Sequence, residues 1–209
     1  MKHTKFSNKP KTLTRSENTR KLRRFLIVCE GEKTEPNYFR KFPENPEVYD
    51  HIDIYGSGYN TMSLVNEAIR LKTEAQIRKE PYIEVWSVFD KDDFTVEQFQ
   101  GAIMLARKNQ IKCAFSIEAF ELWYLLHYNF YDAALSRDQY KEKLTKLLGK
   151  PYQKNDEEMY QLLQKRQSSA IQNARKLYAL KYARPLTEQN PMTTVFWLVE
   201  RLLPWNHYF

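Results

Sequence analysis

The chain has 209 residues, 42% hydrophobic and 28% charged, which suits one soluble domain with a sizeable core. Only 5 glycines argue against a loop-rich or all-β design, and only 2 cysteines against a disulfide scaffold. The net charge of +7 is concentrated at one end: residues 1–24 hold nine Lys or Arg against Glu17, while the rest carries 24 basic and 25 acidic residues. No apolar run reaches the ~18–20 residues of a membrane span. The basic start also lacks the apolar stretch of a secretory signal, so a cytoplasmic protein with no membrane contact is expected.

Residues 1–24 read as a basic leader, too polar to fold alone, whose Arg23 and Arg24 can contact nucleic acid phosphates, or which only keeps the chain soluble. Phe25–Cys29 is an apolar run of strand length that stops on Glu30, Glu32 and Glu35. Pro36 suits the first turn of a short helix over residues 35–41. His51–Tyr55 predicts a strand closed by Gly56-Ser57-Gly58, and Asn60 caps a long helix that Pro81 ends. Ile83–Phe89 is another apolar strand that stops on carboxylates, here Asp90, Asp92 and Asp93. Thr95 caps a helix running through Ala106, and Lys112–Phe115 resumes extended structure. Strand alternating with helix predicts an α/β core over residues 25–115 with a mainly parallel sheet flanked by helices.

Beyond about Ser116 the strand signals stop. Phe120–Tyr128 reads as a helix apolar all round, and Ser136–Gly149 as a basic amphipathic helix ended by its glycine. A long helix is expected over Glu157–Tyr182, and Asn190-Pro191 reads as the cap and first-turn proline of a last one. Residues 116–209 are therefore expected as an all-helical portion packed on the core in one compact domain. Trp123, Trp197, Cys29 and Cys113 read most simply as core residues.

Parallel sheets hold ligands beyond the carboxyl ends of their strands. Glu30 at one such end, and Asp90 and Asp92 at another, can converge on one divalent cation. Mg2+, or Mn2+ in its place, neutralises a phosphodiester and lowers the pKa of bound water. Glu30 then completes the shell or acts as general base. Gly31 lets the backbone approach without a Cβ in the way, while Glu35 and Asp93 are auxiliary sources of negative charge. Carboxylates in such numbers repel one another unless a cation compensates, although the pattern alone also fits two solvated acidic loops.

Lys33 and Lys91 lie beside the acidic turns and can stabilise developing charge or simply screen the carboxylates. His127 is a candidate general base, with a buried helix residue as the plainer reading. Lys141 and Lys143, with Lys146, Lys150 and Lys154, form a basic face interleaved with Tyr140 and Tyr152. That face can track a nucleic acid backbone or be an ordinary solvated helix surface.

V-C-E-G-E-K-T-E followed by V-F-D-K-D-D resembles the Toprim domain of topoisomerases, primases and several nucleases, in the order and separation of Glu30-Gly31 and Asp90-Lys91-Asp92. E-G-E-K-T-E is similar to the overcoming-lysogenisation-defect nucleases, and more closely to the RloB family, which is associated with bacterial restriction and abortive-infection loci. S-I-E-A-F-E-L-W-Y-L-L-H, residues 116–127, and N-P-M-T-T-V-F-W-L-V, residues 190–199, are further RloB-like strings. The resemblance implies a Toprim-like α/β fold and a magnesium-dependent endonuclease cutting DNA or RNA in anti-phage defence, beside an ABC- or AAA-type ATPase partner. It implies Glu30 as general acid/base or metal ligand, and Asp90 and Asp92 as metal ligands. S-I-E departs from the family's usual S-N-P-C-F and is similar to a glutamate-bearing segment of neighbouring Toprim families. That makes Glu118 a further candidate ligand, with Glu121 on the same helix face. The rival reading is a non-catalytic module that binds nucleic acid or the ATPase.

Overall fold

The computed structural model describes residues 22–92 and 94–204. Most of the leader and Asp93 lie outside the described residues. Four parallel strands, β1 (Arg24–Cys29), β2 (His51–Gly56), β3 (Tyr82–Asp90) and β4 (Lys112–Ile117), form a sheet in the order β2-β1-β3-β4. Three helices connect them: α1 (Thr34–Phe39), α2 (Thr61–Ile77) and α3 (Val96–Lys108). The caps are those the sequence announces. Asn60 accepts from the Ser63 N–H at 3.1 Å, and Thr95 forms a reciprocal capping box with Gln98.

Side chains alternate across a strand, so each buried strand feeds two cores. Phe25, Ile27 and Cys29 of β1, with Trp86 and Val88 of β3, face one side. Leu26, Val28, Val85 and Phe89 face the other, where α2 and α3 cover them through Leu64, Val65, Phe99 and Ala102. The first face is covered by the helical half: α4 (Glu121–Leu126), α5 (Arg137–Leu148), α6 (Met159–Leu163), α7 (Gln167–Lys181) and α8 (Val195–Leu202). The α/β half and the helical half therefore share one core.

Four expectations about the helical half are corrected. A short strand, β5 (Met192–Thr193), pairs antiparallel with Ser116 and Ile117 at the sheet edge. The side chains of Ser116 and Thr193 meet there at 3.0 Å, and Thr194 Oγ1 accepts from the Phe115 N–H at 2.9 Å. Asn190-Pro191 consequently leads into this strand, and the last helix begins only at Val195. The expected long helix is broken by a 3₁₀ turn at Gln164–Arg166, because α6 packs on α1 whereas α7 packs on α4. Trp197 is 38% exposed rather than core.

One hydroxyl joins the halves. Tyr38 Oη in α1 accepts from Trp123 Nε1 of α4 at 2.9 Å and from Gln167 Nε2 of α7 at 2.7 Å. All three residues are buried. Tyr38→Phe leaves two buried donors without their acceptor, each costing about 1–3 kcal/mol. We expect a lower urea midpoint and a melting temperature reduced by about 2–4 °C per kcal/mol, with the circular dichroism spectrum retained. A midpoint equal to that of the unsubstituted protein would show that this junction does not hold the halves together.

Candidate carboxylate site

The parallel ladder carries the carboxyl ends of β1 and β3 side by side, pairing Cys29 with Val88. One residue further, the Glu30 N–H donates to the Val88 carbonyl at 2.9 Å, and the Asp90 N–H donates to Glu30 Oε2 at 3.1 Å. Asp90 Oδ2 accepts in turn from the Phe120 N–H at 3.1 Å, just before α4. Strand ends and the helix start are thus stitched together through two carboxylates.

Two more carboxylates enter from helices. Glu35, in the first turn of α1, is 5% exposed, and its Oε2 has no hydrogen-bond partner. It lies directly over Gly31, where a Cβ would meet Glu35 Oε2 at 2.1 Å. The space expected there for a ligand is taken by this carboxylate. Glu121, at the start of α4, is also buried and accepts from the Tyr152 hydroxyl at 3.0 Å.

Their mutual fields are visible in their proton affinities. Burial pushes the Glu30 carboxyl up to about 7 against the pull of the Asp90 N–H, with Asp92 adding to the rise and Arg137 and Lys154 opposing it. Burial also pushes Glu35 up to about 7, reinforced by Glu121 and Glu30 and countered by its own N–H and Lys154. Asp90 is raised well above the usual carboxylate range by burial, then by Glu35 and Glu121. The Tyr140 hydroxyl of α5, buried and without a partner, is raised by burial and by the charges of Glu118, Asp90 and Glu121.

The other candidates are placed differently. Asp92 has a positive φ of 42° and pairs with Arg137 at 2.7 Å. Glu118, also at positive φ, accepts from Asn190 Nδ2 at 3.3 Å. Lys91 Nζ donates to the Phe94 carbonyl at 3.1 Å, inside its own loop. His127 is 1% exposed, with Nδ1 2.9 Å from the Trp123 carbonyl and its ring edge-on to the indole. Burial lowers it to about 4, so it is a core residue and does not join the carboxylates.

Arg23 and Arg24 lie at the opposite end of the sheet. Arg23 pairs with Asp50 at 3.2 Å, and Arg24 with Asp53 at 2.6 Å. The length of β1, at ~3.3 Å per residue, separates them from Glu30. Lys141 borders the site, whereas Lys143 stands over the Tyr131 ring. Tyr140 and Tyr152, expected as aromatics on an exposed basic face, turn their hydroxyls inward to the acids. Arg137 was not singled out from sequence, and its only signal is its place after the Ser136 cap.

Among the described residues, no group of three or more His, Cys, Asp or Glu side chains is arranged to hold a metal ion. Glu121 is engaged by Tyr152 and Asp92 by Arg137, and each would have to turn to join Glu30, Glu35 and Asp90. The donor chemistry nonetheless fits a hard cation: all donors are carboxylate oxygens, and Glu35 Oε2 is buried without a partner. Glu30, Asp90 and Glu35 are the residues that would hold Mg2+ or Mn2+, with Glu121 or Asp92 completing the set.

The upward shifts also set a pH dependence. Glu30 and Glu35 keep protons in the fold that the unfolded chain releases near 4.5. The stability they contribute is full below that value and is lost as pH rises through about 7. His127 acts in the opposite sense between about 4 and 6.5, so the informative measurement is a difference in which it cancels. In EDTA, the melting temperature of Glu35→Gln relative to the unsubstituted protein should rise between about pH 5 and about pH 8. A flat difference would mean that Glu35 carries no buried charge.

No curated protein and no solved structure matches this chain. The family described as RloB-like protein matches residues 25–202, from the first strand to the end of α8, which takes in every carboxylate of the site. The chain belongs to the RloB-like protein family.

Proposed function

We propose that this protein is a magnesium- or manganese-dependent endonuclease that hydrolyses a phosphodiester of DNA or RNA. The observation that carries the reading is the cluster formed by half-buried Glu30 and Asp90, at the ends of two adjacent parallel strands, with buried Glu35 of α1, which has one oxygen unpartnered. Such a cluster needs protons or a cation to stand together, and a divalent ion supplies charge neutralisation and an activated water. Asp90 is fixed by the Phe120 N–H, which ties its carboxylate to the start of α4. Glu30, titrating near 7, can take a proton from an attacking water and return one to the leaving oxygen. Lys154, whose charge is felt at both Glu30 and Glu35, offsets negative charge as it builds on the phosphate.

In this reading the protein acts in the cytoplasm in anti-phage defence and is licensed by an ABC- or AAA-type ATPase, as the sequence resemblance implies. The Asp92–Arg137 pair favours a second reading, a module that binds nucleic acid or the ATPase without cutting, because it withholds one expected ligand from the cluster.

Glu30→Gln and Asp90→Asn keep shape and remove charge. Each should lower metal-stimulated cleavage of DNA or RNA by ~10²-fold or more with the melting transition retained, as expected when a general acid/base or metal ligand is lost. Calorimetric titration with Mg2+ should give heat with the unsubstituted protein and none with Asp90→Asn. Cleavage that survives both substitutions would overturn the assignment. Absence of Mg2+ binding together with retained nucleic acid binding would favour the second reading.

A further inference from the structure

An open cavity of about 430 Å3 reaches the carboxylate cluster at Glu121, on the side of the helical half. Glu121 and Tyr152 form the wall it shares with the cluster, and Arg137, Asp138, Lys141, Gln153 and Lys154 line the rest. Its cations come from two elements that are independently fixed. Arg137 and Lys141, four residues apart, share a face of α5, whose start is set by the Ser136–Gln139 capping box. Lys154 sits in the loop after Gly149, which is fastened to α1: Thr34 Oγ1 donates to the Lys154 carbonyl at 2.9 Å, and Asn37 Nδ2 to the Asn155 carbonyl at 3.4 Å.

Employment divides the lysines of this segment. Lys146 pairs with Glu142, Lys150 with Asp156, and Lys143 covers Tyr131. Lys141 and Lys154 have no ion-pair partner among the described residues, and both face the cavity. Arg137 is held by Asp92. Asp138, which also lines the cavity, is the one further acid there besides Glu121. Tyr152 supplies the only ring in the lining and is buried, so no exposed platform for base stacking is offered.

We propose that Arg137–Lys154 forms a seat for the sugar–phosphate backbone of a nucleic acid strand, with Lys141 and Lys154 each taking a phosphate beside Glu121. The seat deepens the nuclease reading and rests on it in one respect: that reading gives the strand a reason to lie against the carboxylates. Contacts of this kind hold backbone and leave bases unread. The leader's basic residues are a separate contribution, removed by comparing variants of the full chain with one another.

The test is fluorescence anisotropy of a labelled single-stranded oligonucleotide with the full chain in EDTA, over a series of salt concentrations. Without metal no cleavage occurs, so the seat is read apart from the enzyme. Lys141→Gln and Lys154→Gln should each reduce the slope of log affinity against log salt by ~0.7, and the double variant by about twice that. Lys146→Gln, whose lysine is already paired, should leave the slope unchanged. Equal slopes for the double variant and the unsubstituted protein would overturn the seat. So would displacement of the oligonucleotide by a mononucleotide or by polyglutamate as effectively as by unlabelled strand. Failure of the nuclease reading appears elsewhere, as absence of cleavage when Mg2+ is restored to a protein that still binds with the expected slope.

Discussion

Like charges gathered under cover at the ends of β1 and β3 are the constraint around which the molecule is arranged. Glu30, Glu35, Asp90 and Glu121 lie within one another's fields, and carboxylates moved out of water cost several kcal/mol each unless something compensates. The compensation is partial and identifiable. Two backbone N–H groups serve Glu30 and Asp90, the Tyr152 hydroxyl serves Glu121, and the Lys154 charge acts at Glu30 and Glu35. What these do not supply is met by bound protons, which is why the shifts of Glu30, Glu35 and Asp90 run upward. A divalent cation would replace those protons with a charge of the right sign in the same place.

Such an arrangement persists only if its supports cannot relax. The ladder between β1 and β3 fixes Glu30 against Asp90, and the buried aromatic cluster of Tyr38, Phe39, Phe120 and Tyr124 lies behind it. Tyr38 binds Trp123 and Gln167 at one hydroxyl, so α1, which carries Glu35, cannot move without α4, which carries Glu121, and α7. The site therefore belongs to the seam between the two halves. Glu121, Arg137, Tyr140, Tyr152 and Lys154 all come from beyond residue 116, and an excised α/β half would lack them.

The sequence made the strand ends legible because an apolar run that stops on acids is a local signal, and Glu30 and Asp90 are where that signal puts them. The caps at Asn60 and Thr95 were legible for the same reason. β5 was not, since two residues carry no alternation. The tyrosines were misjudged although the information was present: Tyr140 and Leu144 stand four apart on α5, and both are fully buried. That spacing marks the inward stripe, whereas the intervening lysines mark the outward one. Glu35 looked auxiliary because its importance comes from burial, which the identity of its neighbours in sequence does not reveal.

The cations show the same limit most sharply. Lys91 adjoins Asp90 in sequence and invited a role in catalysis, yet its amine is bound to Phe94 within the loop. Adjacent side chains leave an extended chain on opposite sides, so the neighbour of a strand-end carboxylate is poorly placed to compensate it. The charge felt at Glu30 comes instead from Arg137 and Lys154, and that at Glu35 from Lys154, which is brought there by a loop whose anchor on Thr34 spans 120 residues. A carboxylate cluster can be written into two short strings. Its compensating charge has to arrive through the fold, and a substitution in the 150–156 loop or in the α1 contact that fastens it reaches the carboxylates without touching one.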